Sequence, residues 1–225
     1  MPIVIRVIGI LVGMVGLGQT VLAQQPKIYD RVPVEVDPRA HYIIYLHGRI
    51  IEDQGRQPTH PIWGRYEYQK ILEALAADGA TVISEQRPPN TDMNQFARHV
   101  GDQVAQLLRA DVRPEQISIV GFSKGGGIAT QAAALLENPR INFVFLAACG
   151  DGNYRGINLR VWGRILSIYE ASDESGRSCG ELFAKAGATG TRSEIRINVG
   201  EQHGTFFRPH DEWLRPLHQW INRIQ

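Results

Sequence analysis

Residues 117–129 read Ile117-Ser-Ile-Val-Gly-Phe-Ser-Lys-Gly-Gly-Gly-Ile-Ala129. The stretch begins with an apolar segment typical of a buried strand, passes through the pattern Gly-x-Ser-x-Gly and continues into small residues that suit a helix. Glycines two residues to either side of a serine allow neighbouring chain to pass closely without a side-chain clash. The pattern therefore predicts a tight strand-to-helix turn, a nucleophile elbow, with Ser123 at its tip.

The same turn supplies a second candidate group. Because a helix begins after Ser123, the backbone amide of Lys124 is expected to point towards the place where an oxyanion would form. Gly-x-Ser-x-Gly alone is a weak pattern, and an ordinary glycine-rich turn is the alternative. The strand before the serine and the helix after it favour the elbow. Ser123 is thus the candidate nucleophile and Lys124 a candidate oxyanion donor.

The composition is that of an ordinary globular protein. The chain has 225 residues, of which 43% are hydrophobic and 21% are charged, and its formal net charge is +1. This length suits one domain of the larger α/β type. The sequence contains no block of basic residues and no basic-aromatic stripe, so it predicts no nucleic-acid partner.

Residues 1–23 have the pattern of a secretory signal peptide. Arg6 is the only charge, residues 7–17 form an apolar stretch, and Val21-Leu22-Ala23 provides small residues at a cleavage position. An uncleaved membrane anchor is the alternative, but Arg6 and polar Gln19 make it less favourable. We expect the protein to be exported to the periplasm or the extracellular space.

Cleavage of the signal would leave residues 24–225 as a single domain with no stable membrane insertion. Export would also place the chain's two cysteines, Cys149 and Cys179, in a compartment where disulfides form. Cys149 ends an apolar run and Cys179 follows Asp173, so both are expected above the same sheet edge. We expect a disulfide between them, with two separate buried thiols as the alternative.

Extended and helical patterns alternate along the rest of the chain. Strands are predicted at residues 32–36, 41–47, 81–85, 117–120, 141–148, 165–172 and 193–199, and helices at residues 66–78, 93–107 and 181–186 and after Pro216. The alternation predicts a three-layer α/β/α sandwich with a mainly parallel, doubly wound sheet. In such sheets the chemistry collects beyond the carboxyl ends of the strands.

A serine hydroxyl needs a base to take its proton, so a histidine is expected at the same edge. Of the seven histidines, His203 follows the strand predicted at residues 193–199 and lies on a glycine-containing loop. A lone histidine is more often structural than catalytic, but this position after a strand favours catalysis. His203 is therefore the candidate base for Ser123.

The base in turn needs an acid that fixes its tautomer and stabilises its charged form. Asp173 comes directly after the strand predicted at residues 165–172, at the expected edge. Glu170 is one alternative, although it lies within the strand, and Glu174 is another, although it is expected to be solvated. Asp173 is the favoured partner of His203.

With these residues assigned, the mature chain resembles the α/β-hydrolase family over essentially its whole length. The resemblance rests on the elbow at residues 121–125, on the order Ser123, Asp173, His203, and on Tyr45-Leu46-His47-Gly48 closing an early strand. It implies that the loop after Gly48 donates a second oxyanion amide, at Arg49 or alternatively at Ile50, and that His47 is structural. The short connection between residues 148 and 165 further implies a compact member without a lid.

Three side chains are candidate substrate contacts. Arg49 and Arg87 follow strands at the catalytic edge and could bind a substrate carboxylate through paired hydrogen bonds. The favoured alternative is that they pair with the nearby carboxylates Glu52, Asp53 and Glu85. Trp63 could line the pocket or fill a gap in packing. The long connection at residues 49–64 is expected to lie over the pocket.

The sequence therefore predicts a serine hydrolase that cleaves a small carboxylic ester through an acyl-enzyme intermediate. No metal or organic cofactor is expected, because His41, His47 and His60 lack the spacing of metal ligands. An acyltransferase that uses the same triad is one alternative, and a catalytically silent binding protein with the same fold is another. The sequence indicates neither the oligomeric state nor a choice between ester and amide.

Overall fold

The computed structural model describes residues 25–150, 159–185 and 190–222. Its strands are β1 (Ile28–Tyr29), β2 (Tyr42–Leu46), β3 (Thr59–His60), β4 (Gly64–Arg65), β5 (Thr81–Ile83), β6 (Ile117–Phe122), β7 (Asn142–Leu146), β8 (Arg164–Glu170) and β9 (Arg192–Ile197). Its helices are α1 (Arg49–Gln54), α2 (Tyr68–Ala76), α3 (Met93–Arg109), α4 (Lys124–Leu136), α5 (Gly180–Lys185) and α6 (Asp211–Ile221). Short 3-10 helices occupy Pro114–Gln116 and Gln202–Phe207.

Seven of the described strands form one sheet in the order β1-β5-β2-β6-β7-β8-β9. Every pairing described within this sheet is parallel. The chain moves outward from β2 to β5 and then returns across β2 to begin β6. The carboxyl ends of β2 and β6 therefore flank the point where the strand order reverses, which is where α/β sheets form their binding crevices.

Helices cover both faces of the sheet, which explains why its central strands are apolar throughout. One face packs against α2 and α6, and the opposite face packs against α3 and α4. Alternate residues of β6 point to opposite faces, with Val120 in the first cluster and Ile119 in the second. This arrangement is the three-layer, doubly wound sandwich predicted from the sequence.

The leading strand and the last helix differ from the prediction. The leading strand is Ile28–Tyr29 rather than residues 32–36, which have no strand pairing. The last helix begins at Asp211, so Pro216 lies inside it rather than in its first turn. The amide of Leu214 bonds to the carbonyl of His210, and Trp213 is fully buried, so packing fixes the early start.

The long connection after Gly48, in which no helix or strand was predicted, has regular structure. It contains helix α1 and the antiparallel hairpin β3–β4. Gly55 and Gly64 take positive φ angles of 79° and 76°, which glycine adopts without steric cost. These two residues end α1 and shape the hairpin turn, so the segment folds into ordered structure beside the site.

No helix in the described ranges is long and apolar enough to cross a membrane. The predicted signal peptide, residues 1–23, lies outside the described residues. Residues 151–158, within the short connection on which the lidless prediction rests, also lie outside them.

Candidate active site

Ser123 occupies the turn between β6 and α4 with φ 54° and ψ −119°, a strained conformation for a residue that is not glycine. A Cβ atom at Gly121 would lie 2.3 Å from the carbonyl oxygen of Gly125, and one at Gly125 would lie 2.0 Å from that of Leu46. Both positions therefore require glycine. The turn has the geometry that Gly-x-Ser-x-Gly predicts.

Two helices begin beside Ser123. Lys124 is the first residue of α4, and Arg49 is the first residue of α1, directly after Gly48. Amides in the first turn of a helix have no acceptor within the helix. A Cβ atom at Gly48 would lie 3.0 Å from the Phe122 ring and 3.8 Å from Ser123 Cβ, so this loop runs directly against the elbow. Both candidate oxyanion residues thus flank the serine.

His203 lies in the 3-10 helix that follows β9, and its Nδ1 donates a hydrogen bond to Asp173 Oδ2 over 2.6 Å. Both residues are almost fully buried. Burial by itself raises the pKa of Asp173, but the hydrogen bond and charge of His203, together with hydrogen bonds from Ser175, lower that pKa below its ordinary value. The carboxylate is therefore held in its charged form against the imidazole.

Ser123 and His203 line the same cleft. The Phe122 ring, next to the serine, lies 4.8 Å from the imidazole between centroids. The hydrogen bonds described for His203 both involve Nδ1, so Nε2 is left for the serine and the substrate. Among the described residues the Ser123 hydroxyl is not hydrogen-bonded to Nε2, and such catalytic bonds commonly close only when substrate is bound.

The two alternative acids have other positions. Glu170 is buried, and its Oε1 accepts hydrogen bonds of 3.1 Å from the amides of Val199 and Gly200. It thereby ties the end of β8 to the loop that leads to His203. Glu174 is exposed. The structure brings only Asp173, of these three carboxylates, into hydrogen-bond contact with His203.

A disulfide joins Cys149 and Cys179 beside the Asp173 loop. Cys149 follows β7, and its carbonyl accepts a backbone hydrogen bond of 3.2 Å from Arg177. A Cβ atom at Gly176 would lie 2.4 Å from Ala147 Cβ, so the loop packs tightly on the end of β7. The disulfide fastens the segment that carries Asp173 to its neighbouring strand.

Arg87, a candidate substrate contact for which pairing with a nearby carboxylate was the favoured alternative, has no exposed surface on which to meet a substrate. Its side chain is completely buried, and its Nε donates to Glu52 Oε1 over 2.7 Å. Lys124 Nζ donates to the other oxygen of Glu52 over 2.5 Å. Because a buried charge needs a partner, the alternative of pairing with a nearby carboxylate describes Arg87.

His47 is also buried, and it is not among the residues that line a cleft with Ser123. Burial and the charge of Arg87 lower the pKa of His47 to about 3, so its imidazole is neutral. Nδ1 donates to the carbonyl of Gly48 over 2.9 Å, and Nε2 accepts from the amide of Arg87 over 3.0 Å. These contacts hold the loop that presents the Arg49 amide.

Two clefts meet at Ser123, and Arg49 and Asp53 also contribute to both. The polar cleft has a volume of about 780 Å³ and is lined mainly by Arg49, Asp53, Asn90, Thr91, Asp92 and Lys124. The aromatic cleft has a volume of about 380 Å³ and is lined mainly by His60, Trp63, Phe122, Ser175, His203 and Phe207. Arg49 and Trp63, both candidate substrate contacts, therefore line one cleft together with Ser123.

Trp63 reaches the site from the β3–β4 hairpin. His60 stacks on its ring at a centroid distance of 4.0 Å, and the indole Nε1 donates to Gln202 Oε1 over 3.3 Å. A Cβ atom at Gly204 would lie 2.6 Å from Trp63 Cβ, so the hairpin packs directly on the His203 segment. The hairpin forms one wall of the aromatic cleft.

Sequence reasoning missed two residues of the site. Ser175 donates from its amide and its hydroxyl to Asp173 Oδ1, over 2.9 Å and 2.7 Å, and the short Asp-x-Ser pattern is a turn signal that could have revealed it. Glu52 was considered only as a partner for arginine, and its link to Lys124 had no signal in the sequence. No cluster of three side chains suited to holding a metal occurs in the described ranges.

The fold occurs in solved structures of distant proteins. SOBER1 of Arabidopsis thaliana is 14% identical with a TM-score of 0.55, and the alignment covers 82% of this chain and 98% of that one. A predicted CIB-like hydrolase of Thermoplasma acidophilum is 15% identical with a TM-score of 0.55, over 85% of this chain and 90% of that one. CumD, a meta-cleavage product hydrolase, is 14% identical with a TM-score of 0.55, over 83% and 92%. The sequence itself matches no protein-family model and no curated protein.

Proposed function

From the α/β-hydrolase fold that this chain has, we propose that it is a serine hydrolase that cleaves a small carboxylic ester. Ser123 is the nucleophile, His203 the base and Asp173 the residue that orients the base. The observation that carries the proposal is the 2.6 Å hydrogen bond between Asp173 and His203 beneath a cleft that Ser123 also lines. The strained serine turn and the two helix starts beside it support the same assignment.

The proposed reaction runs through an acyl-enzyme. His203 Nε2 takes the hydroxyl proton as Ser123 attacks the ester carbonyl, and the amides of Lys124 and Arg49 donate hydrogen bonds to the oxyanion. As the tetrahedral intermediate collapses, the bond between the former carbonyl carbon and the alkoxy oxygen breaks, and His203 returns the proton to that oxygen of the leaving alcohol. Water then attacks the acyl-enzyme by the same route and releases the acid.

A fluorophosphonate probe tests the activated serine. We expect it to label the folded protein at Ser123, and we expect Ser123→Ala to abolish labelling. The matched control is Ser193→Ala, which makes the same change on β9 and should leave labelling intact. A folded protein that is not labelled would favour the silent binding protein. Labelled protein that transfers the acyl group to an added alcohol, and not to water, would favour the acyltransferase.

We further propose that the protein is exported. The signal pattern of residues 1–23 supports this proposal, and so does the disulfide between Cys149 and Cys179, because disulfides persist in oxidising compartments. Expression of the full chain in a bacterium, followed by fractionation and intact mass, tests it. We expect a secreted or periplasmic product that begins at Gln24, whereas a full-length product in the membrane fraction would support an anchor.

A further inference from the structure

The two clefts at Ser123 have opposite chemical character, and a substrate that spans the serine must enter both. The aromatic cleft presents rings, with the Trp63 indole 5.7 Å from Phe207 and 5.2 Å from His203 between centroids. The polar cleft presents Asn90, Thr91, Asp92 and Lys124, which do not line the aromatic cleft, together with Arg49 and Asp53, which line both. The question is which half of an ester each cleft receives.

Proton transfer decides the orientation. The leaving oxygen must lie within hydrogen-bond reach of the group that protonates it. That group is His203, which lines the aromatic cleft and is not among the residues that line the polar cleft. The leaving alcohol therefore occupies the aromatic cleft, against Trp63 and Phe207.

The acyl substituent then extends in the opposite direction. Of the two residues that carry the proposed oxyanion amides, Lys124 borders the polar cleft and not the aromatic one, while Arg49 borders both, so a carbonyl held by these amides directs its remaining substituent towards the polar cleft. Within this cleft Glu52 is already bound by Arg87 and Lys124. The remaining charged groups, Arg49, Asp53 and Asp92, include one cation and two carboxylates.

This set of groups selects the chemistry of the acyl part. An apolar chain would remove hydrogen-bonding groups from water without replacing their partners. A carboxylate would face the like charges of Asp53 and Asp92. An uncharged hydroxyl group can donate to a carboxylate and accept from Arg49 or Thr91. Hydroxyl groups thus fit the polar cleft better than either alternative.

We propose that the substrate is an ester of an aromatic alcohol with a hydroxylated acid, the ring lying in the aromatic cleft and the acid in the polar cleft. This inference rests on the proposed hydrolase function and adds its substrate class and orientation. The aromatic ring stacks against the wall that Trp63 and His60 form, as aromatic groups do at centroid distances of roughly 4.5–7 Å.

Two isomeric esters test the orientation. Benzyl 3-hydroxypropanoate carries the ring on the alcohol side, and 2-hydroxyethyl phenylacetate carries it on the acyl side with the same atoms. Each kcat/KM is divided by the rate constant for hydrolysis of that ester by hydroxide, which removes intrinsic reactivity. We expect the benzyl ester to be favoured by about tenfold or more, and removal of its hydroxyl, in benzyl propanoate, to lower kcat/KM.

A pair of variants tests the wall. Trp63→Ala should raise KM for the benzyl ester about tenfold more than it raises KM for methyl 3-hydroxypropanoate, whose alcohol carries no ring. The control is Ile62→Ala, because the neighbouring Ile62 is 77% exposed and does not line the aromatic cleft. It should change neither KM.

Each result has a defined meaning when the fluorophosphonate label is measured on the same protein preparation. Labelled protein that favours the phenylacetate, or that hydrolyses neither isomer, overturns the inference on substrate orientation and leaves the serine hydrolase proposal intact. Folded protein that is not labelled overturns the hydrolase proposal itself. Labelled protein that favours the benzyl ester and loses that preference in Trp63→Ala supports both.

Discussion

Glu52 connects the two chain segments that carry the proposed oxyanion amides. It lies on α1, three residues after Arg49, and accepts hydrogen bonds from Lys124 at the elbow and from Arg87 after β5. Its side chain and that of Arg87 are completely buried, and that of Lys124 is only 11% exposed. One carboxylate thus links α1 to the turn that carries Ser123.

Glu52→Gln should therefore destabilise the protein strongly. The substitution leaves buried cations without a counter-charge, and loss of one partner from a buried ion pair costs about 3–5 kcal/mol in the free energy of unfolding. Chemical denaturation measures this change. The control is Glu67→Gln, which removes the solvent-exposed pair with Lys70 and should cost under about 1 kcal/mol. Equal effects of the two substitutions would contradict the proposed connecting role of Glu52.

In the proposed mechanism Asp173 acts through His203, so its amide variant should fold but lose activity. In Asp173→Asn the side-chain amide can donate to Nδ1 and so favour the wrong imidazole tautomer, a change that lowers kcat by roughly 10⁴-fold in serine hydrolases of this kind. Ester hydrolysis by the variant and by wild type, with circular dichroism as the fold control, measures the effect. Glu174→Gln should leave kcat unchanged, because Glu174 is exposed.

The same pair should appear in the pH dependence of stability. Because the folded-state pKa of Asp173 lies below the ordinary 3.8, the unfolded chain binds the proton first as pH falls. The stabilisation is therefore complete above the ordinary pKa and is lost as pH falls through the lowered value. Below about pH 4 the unfolding free energy of wild type should fall more steeply with pH than that of Asp173→Asn. Urea denaturation at a series of pH values measures both proteins. Equal slopes of the unfolding free energy against pH in this acidic range would refute the assignment.

Among the elements, the loop between β8 and α5 depends on a covalent link more than on regular structure. It holds Asp173 through the turn to Ser175 and joins β7 through the disulfide between Cys149 and Cys179. The bridged cysteines are 30 residues apart, a separation for which loss of the disulfide costs about 3–4 kcal/mol in the chain-entropy model.

Replacing both cysteines tests this element. The Cys149→Ala, Cys179→Ala variant should lower the free energy of unfolding by that amount and lower kcat more than KM, because Asp173 is held less firmly. Thermal denaturation with and without a reductant, together with ester kinetics, measures both effects. The reductant should lower the apparent melting temperature of wild type, because it reduces the disulfide once the chain unfolds. It should leave the melting temperature of the variant unchanged. An unchanged kcat would show that the turn to Ser175 suffices to position Asp173.

The hairpin β3–β4 is the element that the sequence indicated least. Its strands are two residues each, too short for an alternating pattern, and its register depends on contacts elsewhere. Arg208 donates to the carbonyl of Trp63 over 3.0 Å, and Trp63 bonds to Gln202. The hairpin is therefore held by the His203 segment as much as by its own pairing.

Across the molecule, the parallel sheet gathers the site from distant parts of the chain. Arg49 follows β2, Ser123 follows β6, Asp173 follows β8 and His203 comes after β9, and the carboxyl ends of parallel strands share one edge. The reversal of strand order beside β2 opens a crevice at that edge, and both clefts lie there. The topology alone thus explains why four separate segments meet at Ser123.

The features that the sequence predicted correctly depend on near neighbours in the chain. Apolar patterns predicted strands β2 and β5 to β9 and helices α2 to α6 in the right order, and the glycines around Ser123 predicted the turn, because backbone geometry and periodicity are local properties. Even here, helix α6 begins earlier than Pro216 suggested, because burial of Trp213 outweighs the local preference of proline for a first turn.

The sequence by itself determined the sandwich architecture, the elbow and the order in which Ser123, Asp173 and His203 follow their strands. Only the tertiary structure decided that Arg87 is buried against Glu52, 35 residues away, and that Trp63 packs beside Gln202, 139 residues away. The character of the two clefts was decided in the same way. The physical reason is that the burial of a side chain and its hydrogen-bond partners depend on which distant segments the fold brings together. The residues next to it in the sequence do not indicate those partners.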